Sequence, residues 1–366
     1  MAHSIKKNNI IPDKVVSTLN LLLRDEAIAG KLLLAAAILA LVAVNSPLGK
    51  LYESFWHVNF TIDVGAFRLS EDLRHWVNDG LMAFFFLVVG LEIKREFVSG
   101  ELKRPKAAVL PMAAAVGGMI VPAVIYLFFN YGQDSSRGWG IPVATDIAFA
   151  IGVLIVLGSR IPSALKTFLL TLAIVDDLLA IGIIAIFYTA NIHMLAIVIA
   201  LGFIVLLLVA RKLWPQKLLP YVLLGIGLWL ALHASGVHAA IAGAIIGFLA
   251  PVRAFDGPSV AERLERAVIP LSTLVVIPVF AFANAGVVLT GISISGATQP
   301  VMYGIVLGLV VGKTVGIMGS VWLLHKFKLA TLPKGVTWGQ MVGVSLLAGI
   351  GFTVSIFVTE LAFAGN

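Results

Sequence analysis

Two aspartates stand side by side at positions 176 and 177, in the stretch LAIVDDLLAI, with apolar residues on either side. Adjacent carboxylates repel each other when both are ionised, so they titrate as a pair and readily take up a proton or a small cation. Consecutive helix positions point about 100° apart, so Asp176 and Asp177 cannot share one dry ion-pairing face, and their helix must border a wet space. A site of this kind can exchange one bound cation for protons. Three further charges, Asp79, Asp146 and Lys313, also fall inside apolar stretches. Each costs roughly 2.5 to 3.5 kcal/mol at the centre of a membrane helix, a burden that persists where charges are paired, wetted or used for transport. Lys313 needs an acidic neighbour, and Asp176 and Asp146 are the candidates.

The elements that carry these residues follow from composition. Of 366 residues, 60% are hydrophobic and 12% charged, and the mean hydropathy is +1.02. Too few polar side chains are present to cover a water-soluble globule, so the chain is an integral membrane protein of the all-α class. Apolar runs of membrane-spanning length occur at roughly 30–46, 73–93, 107–128, 137–157, 164–187, 193–210, 219–234, 236–250, 267–289, 300–324 and 337–364, giving eleven predicted spans. Residues 1–28 form a polar N-terminal segment with no immediate apolar core or small-residue cleavage site, read as cytoplasmic and interfacial, and 29–366 form a single transmembrane domain. The alternation around 56–70, with Asp63 and Gly65 at its middle, predicts a short outer β-hairpin. Eleven spans put the C-terminus outside, with the chain stopping a few residues past the last run.

With the N-terminus inside, 21 of the 26 Lys and Arg residues fall in inner segments and four (Lys50, Arg68, Arg74, Arg137) in outer ones, the last being Lys313 within a span. That bias sets the orientation and accounts for the net charge of +7 without any nucleic-acid partner. The chain has no cysteine, which excludes disulfides, thiolate metal centres and cysteine nucleophiles, and no resident cofactor is expected.

Two spans carry breaks. Gly140 and Pro142 interrupt the fourth, and Gly349 and Gly351 the eleventh. Broken helices at membrane depth are tolerated where their free backbone groups line protein or a cavity, and a pair of them in opposite halves of the chain points to an inverted-repeat transporter. In the tenth span Gly304, Gly308, Gly312 and Gly316 recur at four-residue spacing, a stripe that lets a neighbouring backbone approach closely, with Lys313 one step off it.

Seven ordered segments, WVNDGLMAFFFLVVGLEIKRE, IPVATDIAFAIGVL, LAIVDDLLAI, SGVHAAIAG, VIPVFAFANAG, LVVGKTVGI and GIGFTVSIF, give the chain a resemblance to the NhaA-type sodium/proton antiporters over nearly its whole length. The resemblance implies an electrogenic exchanger that expels sodium or lithium at the expense of the proton gradient. It implies Asp177 as the main cation ligand, Asp176 beside it and ion-paired to Lys313, and Thr145 and Asp146 where the two broken helices cross. It further implies a homodimer joined through the outer hairpin, residence in a bacterial inner membrane, and activation by alkaline pH through charges at the cytoplasmic funnel. Here these are Glu92, Lys94, Arg95 and Glu96, with Glu262, Arg263, Glu265 and Arg266 before the ninth span. The chain departs from the family in having Glu262 where members carry a basic residue and Arg266 where they carry a histidine. His238 matches a position linked to pH response and Asp79 a family acid, while Asn284 sits in a polar break of FANAG; the last two rank as secondary to the central site. The family has twelve spans, one more than the runs found here.

Two other classes compete. A sodium-coupled symporter of an organic anion would need more polar groups than this site offers. An intramembrane aspartyl protease would need a Gly-Asp element, and no such dipeptide occurs.

Overall fold

The computed structural model describes residues 26–64, 67–157, 161–189, 192–252, 257–289 and 299–363. Most of the proposed interfacial segment, the hairpin residue Gly65 and the last three residues lie outside this set. Helix α1 (Glu26–Val44) begins where that polar segment was expected still to run. After Val44 the chain bends by 115° into α2 (Gly49–Trp56). Strands β1 (Asn59–Val64) and β2 (Phe67–Asp72) pair antiparallel from Asn59–Asp72 to Val64–Phe67. The second strand thus runs two residues past the expected limit at about 70, and its Asp72 then caps the next helix by accepting from His75 N.

Long apolar helices follow: α3 (Leu73–Ser99), whose Trp76–Leu81 stretch is π-helical, α4 (Pro105–Asn130), then a 3₁₀ segment (Asp134–Val143) leading to α5 (Ile147–Leu157). Next come α6 (Ser163–Phe187), α7 (Met194–Leu213), α8 (Leu218–Ser235), α9 (Ile241–Leu249), α10 (Val260–Asn284) and α11 (Pro300–Lys326). The last pair, α12 (Trp338–Leu347) and α13 (Phe352–Ala362), meet at a 45° bend.

Among the described residues seven helices are long and apolar enough to cross a membrane, or nine when each bent pair is taken as one span. Seven of the eleven predicted stretches coincide with these helices and the first and eleventh with the bent pairs, while the fourth and eighth fall short of membrane-spanning helices among the described residues. In the fourth, Pro142 cannot donate to a helical ladder, and the backbone stays 3₁₀ and then extended through Ala144. In the eighth, only the nine residues of α9 are helical, because α8 ends at Gly236 with φ +83° and a turn intervenes.

Small residues bring the helices into contact. The glycine stripe of α11 faces α4, and a Cβ at Gly316 would run into the Gly117 carbonyl. The same device joins α3 to α9, where Gly243 lies against the Ala83 carbonyl and Gly90 against that of Ala244. These two seams fix α4–α11 and α3–α9 as tight pairs on which the polar centre is mounted.

Candidate functional site: a buried acid–lysine centre

Helix α6 carries Asp176 and Asp177 in its middle, and both are buried. Across from them Lys313, fully buried at the start of the second α-helical part of α11, Lys313–Lys326, donates from Nζ to Asp176 Oδ2 at 2.6 Å. Of the two candidate partners for the lysine, the structure selects Asp176. The preceding stretch Gly308–Gly312 is π-helical, and this extra residue per turn re-aims the side chain that follows it.

Asp176 Oδ1 is buried without a hydrogen bond among the described residues. Thr145 lies beside Asp176, but its hydroxyl is committed to the Ala348 carbonyl at 2.7 Å. Asp177, 5% exposed, forms no ion pair with a described residue. The charges acting on it are Asp176, Glu92 and Asp146, all negative, and Lys313. One lysine therefore faces several acids, and the centre carries room for positive charge.

The extended turn before α5 and the break between α12 and α13 are stitched to each other. Asp146 N donates to Ile350 O at 2.6 Å, Thr145 Oγ1 to Ala348 O, and Ser355 Oγ to Ile141 O at 2.8 Å. The Asp146 carboxylate accepts from Phe149 N at 3.0 Å through Oδ1, and from Thr353 N at 3.1 Å and Thr353 Oγ1 at 2.7 Å through Oδ2. It therefore caps the first turns of both α5 and α13, whose free N–H groups and positive dipole ends favour an anion. Tyr188 holds the 3₁₀ segment from outside, accepting from Gly140 N at 3.1 Å and donating to Arg137 O at 2.8 Å. Burial pushes its phenol up to about 12, so it stays a donor at neutral pH.

The remaining candidates separate into two groups. At one end of α3, Arg95 pairs with Glu265 of α10 at 2.7 Å, and Glu96 accepts from Thr171 Oγ1 at 3.2 Å and Glu101 N at 2.8 Å. Arg263 donates to Gln216 O at 3.2 Å, while Glu262 is the N3 residue of a capping box closed by Ser259. Toward the other end of α3, Asp79 lies 3.8 Å from His238 and 3.7 Å from His233. His238, grouped by sequence with the pH candidates, is thus at the opposite end from the rest. Asn284 exchanges hydrogen bonds with Asn78 at 2.8 and 3.3 Å. Thr353, Asn78 and His233 escaped the reading of the sequence. Only the FTVS that follows the GIG break, at a helix start where caps are needed, pointed toward the first of them.

A many-helix membrane protein with a buried lysine–aspartate pair, a second aspartate beside it and two interrupted segments stitched together defines the class of helical membrane transporters. The chain belongs to the Na+/H+ antiporter 1 family, whose model matches residues 20–366. It is 48% identical over 345 residues to a protein of Shewanella loihica named Na+/H+ antiporter NhaA, covering 94% of this chain and 88% of that one. It is 49% identical over 343 residues to Na+/H+ antiporter NhaA 1 of Pseudomonas putida, covering 93% and 86%. Among solved structures, the sodium proton antiporter MjNhaP1 of Methanocaldococcus jannaschii superposes with a TM-score of 0.50 at 15% identity, covering 95% of this chain and 98% of the other, which is a likeness of fold.

Proposed function

We propose that the protein exchanges sodium or lithium for protons across a bacterial inner membrane, with its N-terminus in the cytoplasm, and that both ions compete for Asp177 and Asp176. The observation that carries this reading is the buried Asp177 carboxylate without an ion-pair partner among the described residues, next to an aspartate already neutralised by Lys313. An uncompensated carboxylate at that depth is costly, and either a proton or a monovalent cation relieves the cost. The relatives' names support the ion pair chosen. Asp176 Oδ1, without a hydrogen bond among the described residues, supplies a second ligand oxygen, and Thr145 stands beside it.

Eleven passages through the bilayer, electrogenic exchange, pH control through Glu92, Glu96, Arg263 and Glu265, and a homodimer formed through the hairpin complete the reading. Lys313 and Asp146 act as charge compensators, Lys313 in the acid cluster and Asp146 at the helix breaks. The test is transport in everted vesicles: Asp177→Asn should abolish sodium-dependent dissipation of a pH gradient while membrane insertion is retained. Exchange persisting in that variant would remove Asp177 from the mechanism. With valinomycin and potassium clamping the potential, the exchange rate should change with the imposed voltage; a rate indifferent to it means neutral exchange.

A further inference from the structure

On the outer side of the molecule, the polar end of α8 meets the hairpin. His233, in the last turn of α8, has a carboxylate near each ring nitrogen: Nε2 lies 3.7 Å from Glu71 Oε1 and Nδ1 3.7 Å from Asp79 Oδ2. Glu71 belongs to β2 and Asp79 to the π-helical stretch of α3. One imidazole therefore spans the hairpin and the transport helices. It is held in place by stacking on Trp229, at 5.6 Å and 12°, which stacks in turn on Trp76 at 6.0 Å and 20°. Trp76 also reaches the hairpin, donating from Nε1 to Phe60 O at 3.0 Å.

The other charged groups around this bridge have different partners. Asp79 is also faced by His238, 3.8 Å away, and by the more distant His75, while its backbone carbonyl accepts from Trp229 Nε1 at 2.9 Å. His238 contacts no hairpin group among the described residues, its Nε2 lying 3.1 Å from the Tyr188 carbonyl. At the base of the hairpin, Asp72 pairs with His57 at 3.2 Å and His75 at 3.8 Å, both next to the strands themselves. His75 thus ties the end of β2 to the start of α3 next to it in sequence, while among the described residues His233 is the one histidine that ties a strand carboxylate to α8.

We infer that His233 is a pH-operated latch that fastens the outer hairpin to α8 and α3. As an imidazolium it attracts Glu71 and Asp79 together. As neutral imidazole it can offer a proton to only one of them, and the two carboxylates then repel. Acid on the outer side fastens the hairpin, and alkaline conditions release it.

The absence of cysteine allows clean placement of two spin labels, at Asp63→Cys on the hairpin and Ile226→Cys on α8, both exposed in the structure. With the doubly labelled chain diluted in an excess of unlabelled protein, so that only distances within one chain are read, pulsed dipolar spectroscopy at about pH 6 should give one narrow distance, and at about pH 8.5 a broader distribution shifted to longer distances, bracketing the usual imidazole range. His233→Gln should give the broad distribution at both pH values, and His233→Lys, which keeps its charge, the narrow one at both. His238→Gln should switch like the parent. An unchanged distribution in the parent between the two conditions, continued switching in His233→Gln, or loss of switching in His238→Gln in place of His233→Gln would overturn the assignment.

Discussion

The Asp146 carboxylate and Thr353 form a two-pronged contact in which one oxygen, Oδ2, accepts from both the Thr353 amide and its hydroxyl. Residue 146 precedes α5 and residue 353 opens α13, so the contact closes a crossing between segments more than two hundred positions apart in sequence. Replacing the hydroxyl with a methyl should loosen the crossing. Thr353→Val should lower stability by about 1.5 to 3 kcal/mol, as for hydrogen bonds to charged groups, with a fall in melting temperature in detergent and a reduced exchange rate. Thr353→Ser, which keeps the oxygen, should stay near the parent in both measurements; equal damage from the two would assign the effect to shape.

Lys313 and Asp176 depend on each other for burial. Lys313→Ala leaves Asp176 buried without its countercharge and should destabilise by about 3 to 5 kcal/mol. Adding Asp176→Asn removes the orphaned charge, so the double variant should recover much of the melting temperature lost by Lys313→Ala alone. Additive losses in thermal unfolding would mean that the pair at 2.6 Å contributes no coupling.

Competition sets the pH dependence. Lowering the pH on the sodium-binding side raises the protonated share of the aspartate pair, and a protonated carboxylate holds sodium weakly. The apparent KM for sodium should therefore rise as pH falls while saturating sodium restores the same maximal rate. Sodium titrations in vesicles at several pH values check this; a maximal rate that falls at constant KM would separate the sodium and proton sites.

Two glycines of α11 should respond differently to an added side chain. Gly316→Val places atoms against the Gly117 carbonyl and should force α4 and α11 apart, carrying Lys313 away from Asp176. A Cβ at Gly319 meets nothing within 4 Å, so Gly319→Ala should leave yield and exchange unchanged. Yield in the membrane and thermal stability after extraction distinguish them.

How far the sequence reveals these features depends on how local their causes are. The apolar stretches, the acid pair in α6, the lone lysine of α11 and the breaks at Gly140–Pro142 and Gly349–Gly351 are written in short windows, because lipid imposes one requirement on every residue it touches. The choice of Asp176 over Asp146 for Lys313 is not local, since it depends on the π-helical stretch Gly308–Gly312 and on the approach of α4. The same holds for Asn78 with Asn284, and for His238, whose distance from Glu92 and Glu96 comes from the packing of α9 along α3. The shortened α9 also escapes a hydropathy reading, because the turn before it, through Val237, Ala239 and Ala240, is as apolar as the helix.

The 115° bend after Val44 gives α2 a task different from that of its neighbours. Tyr52 and Trp56 are buried, Tyr52 donating to the Phe282 carbonyl at 2.5 Å near the end of α10, while Leu51 and Phe55 on the opposite side are bare. A short cylinder bolted to the body along one flank and greasy along the other is built like a flange for the surface of a leaflet. A helix lying there would set how deep the bundle floats, and hence how far the buried aspartates sit from either water surface.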